Sequence, residues 1–423
     1  MAVLPTASLI EQASLRAGSG SSRNSNPEDI VDGIQPRAVV EPTTANALAE
    51  TLAWATSSEL KTLIAGNRTK LSWGAPSGPI DLMLSTSRMD RILEHRHGDL
   101  TATIEAGAPL ASVNEILAAH GQRLPWDPPW SHSSTIGGIV ATNDSGPSRH
   151  GSGSPRDSII GISIARIDGE LIKAGGIVVK NVAGYDLARL FTGSFGCLGI
   201  ILSATFKLAP IPPASKTVII DVDSFEAIEP VVHALDSSSL TPTAIEISSD
   251  PLRLLVKFES IETAANQQAK MACALVGNAG NPRVITPDEE QLAWRHHFAH
   301  WTSDGTLIKL STVPAELVQI LVWCREETVN SKLAMTVAGR AGLGVVDIRV
   351  EGELGSQIQF LSKLREKLLP GRGSAVIRQG SVSLRHAIDT WGPVGDSLRV
   401  MKAIKKQFDP TKLLNAGRGP GGL

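Results

Sequence analysis

The sequence predicts an α+β protein with two domains and a C-terminal segment. Runs with the two-residue period of a strand alternate with runs of helical period over most of the 423 residues. A chain of this length with 42% apolar residues can bury the cores of two or three domains. The stretch PIPP at 210–213 separates two such regions, because proline cannot donate to a β-ladder and stiffens a linker. We expect domains over 34–212 and 213–390, followed by a segment over 391–423.

The first domain is predicted from two strand–helix patterns. Residues 1–33 are expected to form a flexible lead-in, because 17–29 are rich in Gly, Ser and Asn, with one short helix possible over 7–16. Helical spacing of apolar residues then follows each of two strand-like runs. The predicted elements are a strand at 38–40, a helix with Leu48, Leu52 and Ala55 on one face, a strand at 61–65, a strand at 101–106, and a helix with Leu110, Val113 and Leu117 that ends at Gly121.

The second domain alternates strand-like and helical runs, which predicts a sheet with helices on one face. The predicted elements are strands at 217–222, 252–258 and 344–350, helices at 224–235, 261–276, 314–328 and 356–369, and a last helix at 397–407.

Three Gly-rich segments with hydroxyl side chains follow or precede predicted strands in the first domain. They are IAGNRTK at 64–70, STIGGIVATNDSG at 134–146, and GSFGCLG at 193–199, where Gly193, Gly196 and Gly199 recur every third residue. Glycine lacks the Cβ that keeps a ligand from backbone N–H groups, and Arg68 and Lys70 would suit a pyrophosphate. Each segment alone is equally well explained as a turn. Together, and without a standard dinucleotide motif, they indicate a flavin.

Other nucleotide sites and nucleic-acid binding are disfavoured. No G-x-G-x-x-G string follows a predicted strand, and the chain has no Gly-Lys pair of a P-loop. With 40 basic and 42 acidic residues the formal net charge is −2, and the sequence shows no basic cluster on one face.

The motifs, in order along the chain, resemble a known flavoprotein family. The strings GNRTK, LPWDPP, STIGG, VATNDSGPSR, PRDSIIG, VVKNVAGYDLARL and GSFGCLGI are similar to those of the FAD-binding subunit of bacterial glycolate oxidase (a glycolate dehydrogenase), in the p-cresol methylhydroxylase/vanillyl-alcohol oxidase superfamily. The resemblance covers residues 36–212, with FDPTKLLNAGR at 408–418 matching the closing segment. It implies a two-subdomain FAD-binding domain of the p-cresol methylhydroxylase type, an α+β cap domain, and a C-terminal tail that packs on the FAD domain.

The resemblance also implies the cofactor contacts. The pyrophosphate and ring of FAD are expected at Gly66, Asn67, Arg68, Thr69, Thr135, Ile136, Gly137, Gly138, Thr142 and Gly146, and the adenine near Gly196 and Ile200. Some relatives attach FAD through a His in the first Gly segment. Asn67 and Arg68 occupy those positions here, so we expect noncovalent FAD.

Catalytic residues are not identified by the sequence. His132, His150, Arg149 and Arg156 lie near the second Gly segment, but structural roles explain them equally well or better. Arg340, Arg349, Arg378 and Arg385 are candidates to hold a substrate carboxylate, and His386 is a possible base.

A metal site is not expected. His296, His297 and His300, with Asp304 nearby, have the spacing of a metal site, but the flanking Trp294 and Trp301 favour a packed helix. The His-rich metal motif of related 2-hydroxyacid dehydrogenases has no counterpart in 330–423.

The expected function is oxidation of glycolate, or a similar 2-hydroxyacid, within a hetero-oligomer. The chain has no cluster ligands, so the resemblance implies a second flavoprotein subunit and an iron-sulfur subunit that pass electrons towards membrane quinone. The alternatives are a self-sufficient D-lactate-type dehydrogenase and a non-catalytic, flavin-holding assembly subunit.

The sequence favours a cytoplasmic protein, at the membrane only through its partners. Cys197, Cys273 and Cys324 are isolated, which favours a reducing compartment. No signal peptide is expected, because Glu11 interrupts the apolar run that one needs, and no 18-residue apolar run exists to span a membrane.

Overall fold

The computed structural model describes residues 5–177, 184–368 and 371–423. Part of the VVKNVAGYDLARL motif, residues 178–183, therefore lies outside the described residues. The α-helices are α1 Thr6–Ala17, α2 Ala45–Ser57, α3 Leu110–Ala118, α4 Ile136–Thr142, α5 Arg149–Ser152, α6 Pro155–Ser158, α7 Leu187–Phe191, α8 Ile228–Asp236, α9 Glu262–Val276, α10 Pro287–Thr302, α11 Leu317–Asn330, α12 Leu354–Lys367, α13 Val382–Ala387 and α14 Ser397–Phe408.

The strands belong to two compact units. Unit 1 takes in the residues up to Asp144, Ser154–Pro210 and Val394–Leu423, and unit 2 takes in Ser145–Gly153 and Ile211–Pro393. The strands are β1 Ser22–Asn24, β2 Ala38–Val40, β3 Thr62–Ala65, β4 Leu82–Ser85, β5 Ile92–Arg96, β6 Thr101–Glu105, β7 Gln122–Arg123, β8 Ile159–Ala165, β9 Leu171–Gly175, β10 Ile200–Lys207, β11 Ala209–Pro210, β12 Ala214–Asp221, β13 Ala244–Ser249, β14 Leu252–Ser260, β15 Asn281–Val284, β16 Thr306–Thr312, β17 Ala334–Arg340, β18 Val345–Glu351 and β19 Gly373–Gln379.

The first sheet of unit 1 has the strand order β1-β2-β4-β3. Strands β2, β4 and β3 run parallel, and α2 connects β2 to β3 as the sequence predicted. Leu48 and Leu52 on α2 are fully buried in the same core as Leu9 on α1. Because every residue of β2 and β4 is buried, these strands read as continuous apolar runs.

The helix that the sequence allowed over 7–16 is present as α1, whereas the segment 17–29, expected to be flexible, contains the strand β1. Residues 22–24 pair as β1 with β2, and α1 buries Leu9 and Ala13. Asp29 is fully buried and accepts hydrogen bonds from Arg23 at 2.6 and 3.0 Å. Gly, Ser and Asn are common in flexible chain, but side-chain pairing and strand addition order them here.

The second sheet of unit 1 is antiparallel, in the order β5-β6-β10-β8-β9, and β7 pairs separately with β11. Its core includes Ile104 of β6, Phe206 of β10 and Ile139 of α4, all fully buried. Helix α3 occupies the predicted position and buries Leu110, Val113 and Leu117.

Unit 2 is built on one eight-stranded antiparallel sheet, in the order β15-β12-β14-β13-β17-β18-β16-β19. One face of the sheet forms an apolar core with α8, α9, α11 and α12, to which Ile308, Ile348 and Ile377 contribute. The neighbouring residues of those strands point to the opposite face, because side chains alternate along a strand. Those neighbours include Lys309, Asp347 and Arg378.

The C-terminal segment lies within unit 1. Lys405 on α14 is buried and donates to Asp409 at 2.6 Å, to the Cys197 carbonyl at 2.7 Å and to the Leu414 carbonyl at 3.1 Å. Leu413 accepts through its carbonyl from the Thr62 amide at 2.9 Å, next to β3. The charged network anchors the segment 405–415 beside the two sheets of unit 1.

Candidate functional sites in the two units

A cleft in unit 1 is lined by the three Gly-rich segments. It has about 740 Å³ of space not filled by atoms, part of it open to solvent. Nine of the predicted cofactor residues line this cleft: Gly66, Asn67, Arg68, Thr69, Thr135, Gly137, Gly138, Thr142 and Gly196. The three segments are far apart in the sequence, and the fold brings them together around one cleft.

Three predicted cofactor residues lie elsewhere. Ile136 and Ile200 are buried in the cores of unit 1, at 0% and 1% exposure, and Ile201 lines the cleft instead of Ile200. Gly146 belongs to unit 2.

The first Gly segment presents backbone N–H groups to the cleft. Among the residues that the structure describes, the amides of Gly66, Asn67, Arg68 and Thr69 have no backbone or side-chain acceptor. Arg68 has φ 63°, so the segment turns through a left-handed residue directly after β3. Successive amides in such a turn form a concave anion-binding site.

The two cations of this segment are already paired with carboxylates. Arg68 lies 2.8 Å from Asp29, and the Lys70 ammonium lies 3.6 Å from Asp144 and donates to Ser134 at 2.7 Å. We expected both to face a pyrophosphate. These ion pairs tie the first segment to its surroundings, and both residues still line the cleft together with the backbone amides of the segment.

The glycines of the cleft stand where a side chain would collide with its walls. A Cβ on Gly66 would lie 2.3 Å from Thr135 Oγ1, and one on Gly196, which has φ 69°, would lie 2.6 Å from Asn415 Nδ2. A Cβ on Gly137 would lie 2.8 Å from the Ala106 Cβ. These positions need glycine for close packing of the three segments as well as for access by a ligand.

Asn415 and Arg418 complete the cleft and were not among the predicted site residues. Asn415 accepts from the Ile64 amide at 2.8 Å and donates to the Phe195 carbonyl at 2.6 Å, so it joins the first and third Gly segments. Arg418 is buried and donates to the carbonyl of Trp73 at 2.7 Å and to Asp32 at 3.3 Å. Both residues belong to the string FDPTKLLNAGR, which matches the closing segment of the family, but the sequence did not show that this string lies beside the Gly-rich segments.

Unit 2 contains a second polar cluster, on the sheet face opposite its apolar core. Asp347 of β18 is fully buried and accepts from Trp301 at 2.8 Å, Arg378 at 3.1 Å and Arg340 at 3.2 Å. All three donors reach Oδ2, and Oδ1 has no hydrogen-bond partner among the described residues. The two arginines hold the pKa of Asp347 below its usual range, against the effect of burial. We call Lys309, Arg340, Asp347 and Arg378 the charged stripe.

Lys309 is the member of the stripe that sequence reasoning missed. It is half-buried on β16, in register with Asp347 across the β16–β18 ladder. Its ammonium makes no hydrogen bond or ion pair with the residues that the structure describes. Burial, followed by the neighbouring Arg378, lowers the pKa of Lys309 to about 7.

The His-rich helix packs against this stripe through hydrogen bonds. His297 of α10 lies 2.9 Å from Glu246 through Nε2, and both side chains are fully buried. His300 donates through Nε2 to the Asp347 carbonyl at 2.9 Å, and burial lowers its pKa to about 4. Within the described parts of the chain, His, Cys, Asp and Glu form no group of three that suits a metal ion.

Several of the Arg and His residues considered as catalytic candidates lie in different parts of unit 2. Arg340 and Arg378 belong to the stripe, whereas Arg349 donates to the His300 carbonyl at 3.0 Å and holds the end of α10. Arg385 lies on α13 and donates to the Gly380 carbonyl at 3.2 Å. His150 belongs to unit 2, where burial lowers its pKa.

Part of unit 1 is similar to a known family of domains. Residues 36–175 match the family model described as an FAD binding domain. Residues 36–175 are an FAD-binding domain. This domain contributes two of the three Gly-rich segments that line the cleft.

The FAD-binding domain sits in a chain similar to several flavoenzymes of 2-hydroxyacids. The chain is 26% identical over 418 residues to the glycolate oxidase subunit GlcD of Bacillus subtilis (strain 168), covering 90% of this chain and 88% of that protein. It is 36% identical over 190 residues to the glycolate oxidase subunit GlcE of Escherichia coli (strain K12), covering 45% and 54% of the two chains. It is 26% identical over 427 residues to a D-lactate dehydrogenase of Anaerostipes hadrus, covering 91% and 89%. The predicted resemblance to glycolate oxidase subunits is confirmed.

The fold prediction is also confirmed. The chain superposes on p-cresol methylhydroxylase with a TM-score of 0.76 at 14% identity, covering 99% of this chain and 98% of that one. The FAD-binding domain followed by an α+β domain is therefore the arrangement of the p-cresol methylhydroxylase type. Among the described residues, no helix is both long and apolar enough to cross a bilayer.

Proposed function

We propose that this chain is an FAD-dependent oxidoreductase of a 2-hydroxyacid, and that it works as the FAD-binding subunit of a glycolate oxidase. The coarser assignment rests on the FAD-binding domain together with relatives named for glycolate and D-lactate. The finer assignment rests on the local similarity to GlcE, whose identity of 36% is concentrated in 190 residues.

The observation that carries the proposal is the run of amides at Gly66 to Thr69, which have no acceptor among the described residues, in a cleft where a Cβ on Gly66, Gly137 or Gly196 would lie 2.3, 2.8 or 2.6 Å from a neighbouring atom. The residues fit a dinucleotide cofactor, because backbone donors suit a pyrophosphate and small residues at 137, 138 and 196 allow a flat ring or adenine to approach. Bound FAD would supply the acceptor for the two electrons and the hydrogen that leave the substrate carbon.

We propose that FAD is held without a covalent bond. The positions at which some relatives carry a linking His are Asn67 and Arg68, and neither side chain is a nucleophile towards the flavin. Precipitation of the protein with acid tests this directly. We expect all of the flavin in the supernatant, and flavin that stays with the precipitate would contradict noncovalent binding.

We propose that unit 2 binds the substrate anion at the charged stripe. The guanidinium groups of Arg340 and Arg378 both donate to Asp347 there, and guanidinium groups also attract a substrate carboxylate. Asp347 Oδ1 is a buried acceptor that has no hydrogen-bond partner in the described part of the chain, and such groups are commonly completed by a ligand or water. Oxalate, a substrate analogue that cannot be oxidised because it has no C–H bond, should bind with an affinity that falls as the salt concentration is raised.

The first experiment is the anaerobic visible spectrum of the purified protein before and after addition of glycolate. Bleaching of the oxidised flavin band would establish oxidation of the hydroxyacid. The same titration with D-lactate separates the glycolate oxidase subunit from the alternative, a self-sufficient D-lactate-type dehydrogenase. That alternative predicts turnover of the isolated chain with an artificial electron acceptor.

We propose that the electrons leave through partner subunits, a second flavoprotein subunit and an iron-sulfur subunit. The support is that relatives of this chain include two different glycolate oxidase subunits. Affinity purification of the tagged chain from its source organism tests this, because both partner subunits should be purified with it. If the chain is a non-catalytic assembly subunit instead, Gly138→Trp should leave the activity of the complex unchanged while blocking the cleft.

A further inference from the structure

Lys309 occupies a position where a lysine has no evident structural purpose. Its backbone lies in β16, between β18 and the edge strand β19, and its side chain shares a face with Asp347. The charged groups that act on it are Arg149, Arg340, Asp347 and Arg378, which come from α5, β17, β18 and β19. A half-buried ammonium without a bonded partner loses hydration and gains nothing that a methionine would not give.

The arginines of the stripe are differently placed, because each has a fixed partner. Arg340 donates to the Ser145 carbonyl at 2.7 Å and to Asp347, and Arg378 donates to Asp347. Their guanidinium groups stay charged at any physiological pH and can act only as donors. Lys309 is thus the one member of the stripe whose nitrogen can lose its proton and accept another.

We propose that the uncharged amine of Lys309 is the base that accepts the hydroxyl proton of the 2-hydroxyacid, while Arg340 and Arg378 attract its carboxylate. This inference rests on the proposed function and names the proton acceptor that the sequence left open. In 2-hydroxyacids the carboxylate and the hydroxyl sit on adjacent carbons, so a base beside the carboxylate site is where the hydroxyl proton is released.

The step balances without any further reagent. The O–H bond breaks and its proton goes to Nζ of Lys309, which becomes an ammonium. The C2–H bond breaks, and bound FAD would supply the oxidant that takes up this hydrogen with both electrons. A C=O bond forms at C2, so that glycolate becomes glyoxylate. The negative charge of Asp347 stabilises the new ammonium.

The pKa of Lys309 supports this role. Burial and the positive charges of Arg378, Arg340 and Arg149 lower it to about 7, against the opposing effect of Asp347. A base works best when its pKa lies near the working pH, since it is then both available and strong enough to take a proton. An ordinary lysine, with a pKa near 10.4, would be almost fully protonated at pH 7.5.

The decisive variants are Lys309→Arg, which keeps the charge but cannot lose it, and Lys309→Met, which keeps only the length. The FAD-loaded protein, with any subunits that co-purify, is mixed anaerobically with glycolate over pH 5.5–9. We expect flavin reduction to slow by roughly 10²–10⁴-fold in both variants. In wild type the rate should rise with pH through about 7, and in Lys309→Arg that rise should disappear while oxalate still binds. Lys367→Arg, on the exposed side of α12, is the matched control.

A second readout does not depend on activity. Reductive methylation with ¹³C-formaldehyde labels lysine amines, and the signal missing from Lys309→Arg identifies Lys309. We expect this signal to titrate well below the other lysines. Titration at the pKa of an exposed lysine, or flavin reduction in Lys309→Arg within about threefold of wild type, would overturn the proposal. If wild-type flavin is reduced by neither glycolate nor D-lactate, the proposed function itself fails.

Discussion

At the scale of single residues, the structure separates charged groups that hold the fold from those left for a ligand. Arg68 and Lys70 were expected to meet a phosphate, yet each faces a carboxylate of its own unit. The amides of Gly66 to Thr69 in the same segment have no acceptor within the part of the chain that the structure describes. A sequence shows which side chains can carry charge. It does not show which carboxylate each cation pairs with, because partners such as Asp29 and Asp144 are brought close only by the fold.

Gly66→Ala should abolish FAD binding with little loss of the fold. The new Cβ would lie 2.3 Å from Thr135 Oγ1, so either the first or the second Gly segment must move. We expect the flavin content of the purified variant to fall at least tenfold. Gly78→Ala is the matched control, because a Cβ there meets nothing within 4 Å.

The double variant Gly66→Ala/Thr135→Ala tests the physical cause. Removal of the Thr135 hydroxyl and methyl relieves the predicted clash, so part of the flavin content should return. An unchanged flavin content in Gly66→Ala alone would remove the first Gly segment from the cofactor site.

Asp347→Asn should destabilise unit 2 strongly. Asp347 is fully buried and its charge offsets Arg340 and Arg378, so its loss leaves two cations uncompensated. Removing one partner of a buried ion pair typically costs about 3–5 kcal/mol. Urea unfolding followed by fluorescence of Trp301, which donates to Asp347, measures the change. A loss below about 1 kcal/mol would mean that the arginines are hydrated rather than dependent on this carboxylate.

At the scale of elements, the helices of unit 2 were predicted better than its strands. The helix predicted at 261–276 is found as α9, whereas β13, β16, β17 and β19 were not predicted. Sequences such as TLIKLST of β16 place a lysine between buried Ile308 and Leu310. This charged residue interrupts the continuous apolar run by which a strand buried on both faces is recognised, so the pattern conceals the strand.

The end of α10 should titrate with acid. His300 has its pKa lowered to about 4 by burial, so between pH 6.5 and 4 the unfolded chain binds more protons than the folded chain. Stability must therefore fall as the pH drops through this window. His300→Gln keeps a donor for the Asp347 carbonyl but cannot take up a proton. Its urea midpoint should change less than that of wild type between pH 6.5 and 4.5, and equal slopes would contradict the assignment.

The C-terminal segment should act on the cleft through one side chain. Asn415 bonds to Ile64 and Phe195, on two different Gly segments. We expect Asn415→Ala to weaken FAD binding by roughly tenfold, equivalent to about 1.4 kcal/mol. Asn114→Ala is a matched control, since Asn114 makes the same two kinds of bond, both to Leu124, away from the cleft. Equal flavin affinity in both variants would restrict Asn415 to a role in stability.

At the scale of the whole molecule, the two units are not contiguous in the sequence, and two segments depart from a single division at 210–211. The segment Ser145–Gly153 belongs to unit 2 although both of its flanks belong to unit 1, and Val394–Leu423 belongs to unit 1. Proline at 210–213 marks a boundary in the sequence because it acts locally. The nine-residue segment 145–153 has no sequence pattern that predicts its unit. Its position follows from contacts with residues distant in the sequence, such as the hydrogen bond from the Gly151 amide to the Thr243 carbonyl.

Addition of FAD to the flavin-free protein should therefore protect stretches that are scattered along the chain. A ligand that binds only the folded state adds RT ln(1 + [L]/Kd) to its stability, about 2.7 kcal/mol at 100-fold excess over Kd. Hydrogen exchange measured by mass spectrometry should show slower exchange at 64–71, 135–142, 193–201 and 415–418, the stretches that line the cleft. The amides of Gly66 to Thr69, which have no acceptor among the residues described, should change most, because an unbonded amide exchanges fast until a ligand oxygen accepts from it. Protection confined to 415–418, with none at 66–69, would place the cofactor elsewhere in unit 1.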